Sequence, residues 1–140
     1  MALTLEQANR IIAAALQHSA QAGYKPMAVV VLDDSGHLKS AQRQDGASMF
    51  RVDIATGKAW ASIGMGAASR VLTQRAKDLP AFFGALAATG KGKFIPQTGA
   101  VLVKDAAGVV IGAVGASGGT GDEDEEICIA GVKEAGLDAD

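Results

Sequence analysis

Arg43, Asp45 and Gly46 stand together at a point where a polar strand should end. An arginine at a strand end presents a planar fork of donors suited to carboxylate or phosphate. Asp45-Gly46 turns the chain there, and an Arg-Asp surface pair closing the strand is the plainer alternative. Lys58 has Ile54, Ala55, Ala61 and Ser62 as its helical neighbours three and four residues away. It therefore borders a small-residue face, where a partly desolvated lysine binds an anion or acts as a base. A lysine that lays its stem on apolar surface and keeps its charge in water fits the same spacing. Asp122, Glu123, Asp124, Glu125 and Glu126 crowd the start of a C-terminal helix. The positive helix terminus favours carboxylates, but five adjacent acids exceed what capping needs, so Asp124 and Glu125 are candidates to face a pocket. Ahead of them, Ser117, Gly118 and Gly119 open a bend whose backbone amides could cradle an anion. His37, just after a turn, is a candidate ligand for a metal or haem iron, or simply a polar residue at a strand start. His18 falls off the apolar stripe of the first helix and reads as an exposed helical residue.

Several chemistries fail on spacing. Gly112, Gly115 and Gly118 do not have the dinucleotide-binding GxGxxG spacing. Gly84 to Gly90-Lys91-Gly92 has five intervening residues instead of four, and a glycine where serine or threonine must hold magnesium. No nucleotide site is expected. No HExxH or GxSxG occurs. The one cysteine, Cys128, precludes an intrachain disulfide and a multi-cysteine zinc site, and reads as a small buried residue.

The elements that must position these residues follow from periodicity. Thr4 and Gln7 form a capping-box pattern, and Ala8, Ile11, Ile12, Ala15 and Leu16 recur at helical spacing. The helix is expected over Leu5 to Ala22, ended by Gly23. Ala28 to Leu32 is a continuous apolar run that reads as a strand buried on both faces. Asp33 to Gly36 turns it into a more polar antiparallel strand, Leu38 to Arg43. Val52 to Ala67 is an alanine-rich helix, Ser69 a cap for a second short helix, and Pro80 the first turn of a third. A second hairpin, Ala100 to Val103 and Val109 to Ala116, turns at Asp105 to Gly108. The acidic helix runs to about Ala135. The order of helix, hairpin, helices, hairpin and helix is that of an α+β fold, an antiparallel sheet of two hairpins flanked by helices. With 140 residues and no linker, repeat or boundary, residues 1–140 form one domain. An exposed edge strand invites pairing between subunits, so a homo-oligomer is expected.

Composition sets the outer limits. Apolar residues make up 49% and charged residues 20%, enough for an ordinary core, while 4% aromatics and 18 glycines make that core one of small side chains. A net charge of −2 argues against a nucleic-acid partner held by a basic field. No basic and apolar leader marks a signal peptide, and no uncharged apolar run reaches the roughly 20 residues of a membrane helix. A cytoplasmic protein with no membrane partner is the expectation.

Six segments in order carry a family resemblance. Thr4-Leu5-Glu6-Gln7-Ala8 resembles LTLxxA, Val30 to Leu38 resembles a VVDxxGHL hairpin, and Arg43 to Ala47 resembles RxDGA. Ala55 to Trp60 resembles AxxKAW, Gly112 to Gly119 resembles GAxGVSGG, and Asp124-Glu125 with Ala130-Gly131 resembles DExxxxAG. Together they resemble the GlcG/HbpS-type haem-binding family, also called haem-degrading, over nearly the whole chain. The resemblance implies a profilin-like sheet topology and oligomers, commonly octamers. It makes haem or a related tetrapyrrole the leading ligand and haem the expected cofactor. The chain departs from the family at Ile95-Pro96-Gln97-Thr98-Gly99, where many members carry a double glycine after the proline. Two other functions remain beside haem binding. An enzyme or sensor for a small carboxylate metabolite would hold its ligand with Arg43 or Lys58 and move protons with Asp45, Asp124 or Glu125. That reading gains if Arg43, Lys58 and the Asp124-Glu125 helix start share one pocket. An accessory scaffold would need Gly46, Gly112 and Gly115 for backbone geometry alone.

Overall fold

The computed structural model describes all 140 residues. Helix α1 (Leu5–Ala22) starts on Thr4, whose hydroxyl accepts from the Gln7 amide while the Gln7 side chain accepts from the Thr4 amide. It stops at Gly23, which takes the left-handed φ of 72°. Strands β1 (Ala28–Asp33) and β2 (Leu38–Arg43) form the first hairpin. Helices α2 (Phe50–Met65), α3 (Ser69–Asp78) and α4 (Pro80–Thr89) follow. Strands β3 (Ala100–Lys104) and β4 (Val110–Ser117) form the second hairpin, and α5 (Gly121–Glu134) and the two-residue β5 (Asp138–Ala139) close the chain.

The sheet is antiparallel in the order β2-β1-β4-β3-β5, so the two hairpins meet at β1 and β4. Strands β1 and β4 are covered on both sides, as the continuous apolar run of β1 requires. The two-residue period of the strand sorts its side chains. Val29 and Val31 pack with Ile11, Ile12, Ala15, Ile127 and Val132 of α1 and α5. Val30 and Leu32 pack on Ala55 and Ala59 of α2. A third cluster, Ala61, Leu72, Phe83 and Phe94, ties α3 and α4 to the back of α2. The layers are therefore helix, sheet and helix.

Two points differ from the sequence expectation. Ser69 does not cap α3; it is the first helical residue, its buried hydroxyl accepting from the Ala100 amide and donating to the Ala100 carbonyl. Strand β5 was not anticipated, and a pair of residues carries too little pattern to be read. The glycines of β4 are positions of close approach. A Cβ at Gly115 would lie 2.3 Å from the Ala55 carbonyl oxygen, so α2 sits directly on the β4 backbone there. Strand β2 is the exposed edge, its residues half-buried or open to solvent. No helix is long and apolar enough to cross a membrane.

Candidate functional site

The close approach of α2 to β4 brings one charged side chain of α2 inside the protein. Lys58 is one turn beyond Ala55, the residue beneath Gly115, and it is only 5% exposed. Its Nζ donates to the Ala116 carbonyl at 3.0 Å and to Asp124 Oδ2 at 2.9 Å. Asp124 is 2% exposed, so this is a buried ion pair, not a lysine snorkelling to solvent.

The opposite side of the site is built by the chain leaving β4. Ser117 ends the strand, and Gly118 turns it with φ 149°, where a Cβ would strike the Pro26 carbonyl at 2.3 Å. Thr120 then caps α5 in a reciprocal pair with Glu123. This sets the phase of the helix. Asp122 and Glu126 point outward, while Asp124, Ile127, Cys128 and Gly131 fall on the buried face. The Gly119 amide donates to Asp124 Oδ1 at 2.9 Å and fixes the carboxylate. Burial raises the Asp124 carboxyl above the usual range, against the opposing pull of Lys58, the Gly119 amide and Arg51.

Above the pair lies a cleft of about 430 Å³ lined by Arg51, Lys58, Thr98, Ser117, Gly121 and Asp124, among others. Arg51 was not singled out from the sequence. It lies two helical turns before Lys58 on the same face of α2, and that seven-residue spacing was the available signal. Its Nη1 donates to Ser117 Oγ at 3.2 Å. The residues between Pro96 and Gly99 that depart from the family pattern, Gln97 and Thr98, also line this cleft.

The other sequence candidates lie elsewhere. Glu125 faces away from the cleft and accepts from Arg70 Nε at 3.1 Å. Arg43, Asp45 and Gly46 sit at the C-terminal end of β2 and in the turn after it, in register with Ser117 but two strands away on the sheet edge, where Arg43 Nη1 donates to the Ala47 carbonyl at 2.5 Å and Gly46 takes φ 86° against Pro26. Arg43 and Asp45 line a second, larger cleft of about 540 Å³ with Leu16, Ala20, Tyr24 and Pro26. At its margin the Tyr24 hydroxyl donates to Glu126 Oε2 at 2.8 Å, and His18 Nε2 lies 2.8 Å from the same oxygen. These two bonds hold the Glu126 carboxyl below its usual range. The His37 side chain is 80% exposed, its Nδ1 3.9 Å from Asp33 Oδ2. The convergence on which the carboxylate reading turned is thus partial. Lys58, Ser117, Gly119 and Asp124 share a cleft, whereas Arg43 and Glu125 are outside it.

Comparison with known proteins adds a lineage to this geometry. The family model described as haem degrading protein HbpS-like matches residues 3–133. Among solved structures, the PduOC:heme complex is 24% identical, covering 98% of this chain and 97% of that one with a TM-score of 0.87. The Klebsiella pneumoniae protein ORFY is 26% identical over 96% of this chain and 90% of that one, TM-score 0.86. A double mutant of Streptomyces reticuli HbpS is 26% identical over 95% of this chain and 86% of that one, TM-score 0.82. A search of curated protein sequences finds no match. With the family model spanning nearly every element from α1 to α5, the chain belongs to the HbpS-like family of haem-degrading proteins.

Proposed function

We propose that this chain is a ligand-binding protein whose leading ligand is haem or a related tetrapyrrole, held at the cleft beside Tyr24. The observation that carries the reading is the surface that this family member presents there. Leu16, Ala20 and Pro26 line an open cleft of about 540 Å³ with the Arg43 guanidinium among them. A flat macrocycle needs an apolar wall and a cation for its carboxylates, and these residues meet both needs. Arg43 uses one bond on the Ala47 carbonyl and keeps further donors for a propionate.

The imidazoles test the fit of an iron. His18 lines a neighbouring cleft of about 200 Å³, not the one beside Tyr24, but its Nε2 is anchored to the Glu126 carboxylate that Tyr24 also holds, an arrangement that would leave Nδ1 for a metal at the rim between the two clefts. His37 is mostly in solvent and lines neither of these two clefts. It could serve an iron across a contact between chains. Three His, Cys, Asp or Glu side chains nowhere gather as a metal cluster; a single imidazole would hold the iron, and the apolar residues of the cleft would form a wall for the macrocycle. Bound haem would supply a redox-active iron; the protein would bind it, orient it and shield one face. Assembly of copies through the open β2 edge is part of the same proposal, with an octamer as the expected size.

The test is a haem titration of purified apo protein, followed by Soret absorbance and by mass under native conditions. A saturable Soret shift at fixed haem per subunit, weakened by His18→Ala or Arg43→Ala, is the expected result. Titration without saturation rejects the proposal, and loss of binding only with His37→Ala would move the ligand to a contact between chains.

A further inference from the structure

We propose that the cleft over Lys58 and Asp124 is a separate binding site for a small monocarboxylate. The haem proposal uses none of these residues, so either can fail alone.

The cleft has more donors than the protein itself consumes. Lys58 Nζ carries three hydrogens and meets two protein acceptors, Ala116 O and Asp124 Oδ2, so one donor of a 5%-exposed ammonium remains for a ligand in the cleft it lines. Arg51 commits only Nη1, to the neutral Ser117 hydroxyl, and forms no ion pair with a carboxylate. A half-buried guanidinium with most of its fork unclaimed is suited to two-point recognition of a carboxylate. Gly121 and Asp122 open α5, and their first-turn amides make no bond to a backbone carbonyl. Both residues line the same cleft. The donors thus come from two directions, the α2 face and the α5 terminus, while the Thr98 hydroxyl on the third wall spends its proton on Thr73.

Charge and shape narrow the ligand class. The charged residues that line the cleft are Arg51 and Lys58, positive, and Asp122 and Asp124, negative, and Asp122 shares Arg70 with Glu125. The lining is balanced, so recognition falls to the unclaimed Arg51 fork, whose planar donors match a carboxylate. A phosphate dianion would bring a second charge against the Asp124 carboxylate, so it is disfavoured. The cleft, at about 430 Å³, admits an acid of a few carbons.

The experiment is isothermal titration calorimetry on haem-free protein with acetate, propionate and butyrate, and with acetamide and inorganic phosphate as neutral and dianionic comparisons. At least one monocarboxylate should saturate one site per chain, with acetamide and phosphate at least about tenfold weaker. Arg51→Gln should weaken that binding by about tenfold or more while its thermal melting stays that of the parent. Arg10→Gln, an exposed change on α1, should bind as the parent does. Absence of saturation by about 20 mM for all three acids overturns the proposal, as does equal affinity in Arg51→Gln or tighter binding of phosphate.

Discussion

Replacing Lys58 with methionine tests whether the α2–α5 ion pair is the energetic centre of the site. Methionine keeps the length of the stem and removes the charge, leaving Asp124 2% exposed without its counter-ion. Removing one partner of a buried pair costs about 3–5 kcal/mol, a large share of the roughly 5–15 kcal/mol that holds a domain folded. Asp124→Asn keeps an oxygen for the Gly119 amide and strands the Lys58 ammonium instead, so it should cost a similar amount. The double variant Lys58→Met/Asp124→Asn buries neither charge. It should lose about 2 kcal/mol less than the sum of the single losses. The pH dependence has a definite sign. The folded Asp124 carboxyl already lies above its unfolded value because of burial, and loss of Lys58 raises it further. Folding then favours the protonated form, so this contribution is fully present below the unfolded value and is lost as pH rises through the folded one. The Lys58→Met deficit should therefore be smaller at about pH 5 than at about pH 8. Asp33 and Asp105 have the opposite sign. Hydrogen bonds from neighbouring amides hold both below their usual range, so their contribution is present above the unfolded value and lost only in stronger acid. Urea unfolding followed by circular dichroism at the two pH values measures all four proteins. Additive single losses, or a Lys58→Met deficit that is the same at both pH values, would refute the reasoning.

Gly115→Ala places a methyl 2.3 Å from the Ala55 carbonyl oxygen, with backbone on both sides and no flexible atom to yield. Calorimetry should show a melting temperature lower by about 5–10 °C, from an overpacking cost of about 2–3 kcal/mol. Cys128 is fully buried, and desolvation together with the nearby Asp124 pushes its thiol far up, so it should be inert to thiol reagents in the native protein. Its labelling rate should follow unfolding and rise with urea; fast labelling without denaturant would contradict the burial.

The parts of this architecture that were legible in the sequence are those governed by local period. The capping box at Thr4, the doubly buried run of β1 and both Asp-to-Gly hairpin turns declared themselves because each depends on residues a few positions apart. The site was legible only in halves. Lys58 showed its small-residue surroundings on α2, but its partner is 66 positions away, and local spacing does not rank five adjacent acids against one another. Phase does rank them. Asp124, Ile127, Cys128 and Gly131 recur at three, four and seven residues, and that stripe selects Asp124 as the inward acid and turns Glu125 toward Arg70. The same argument finds Arg51, two turns before Lys58. Arg43 carries equally suggestive chemistry but lies on an edge strand, where no second layer closes over it, so it serves a different, open cleft.

The small-residue composition and the buried charge are one feature. Gly115 lets α2 settle on β4, and Gly131 lets α5 settle on α1, its absent Cβ leaving 2.4 Å to the Ile11 carbonyl oxygen. Gly99 completes the arrangement, because a Cβ there would sit 2.7 Å from Lys58 Nζ and 3.0 Å from Asp124 Cβ. Larger residues at these points would separate the layers and admit water to the pair. With glycine at all three, the ammonium and carboxylate are held in a dry interior with one face open to the cleft, where a charge interaction is far stronger than at the surface. A fold that needed only stability would fill this space with apolar side chains, which replace buried ion pairs at little or no loss. The charged pair, the unclaimed Arg51 fork and the free amides at the start of α5 meet at the same opening, and an arriving carboxylate gives that arrangement a use.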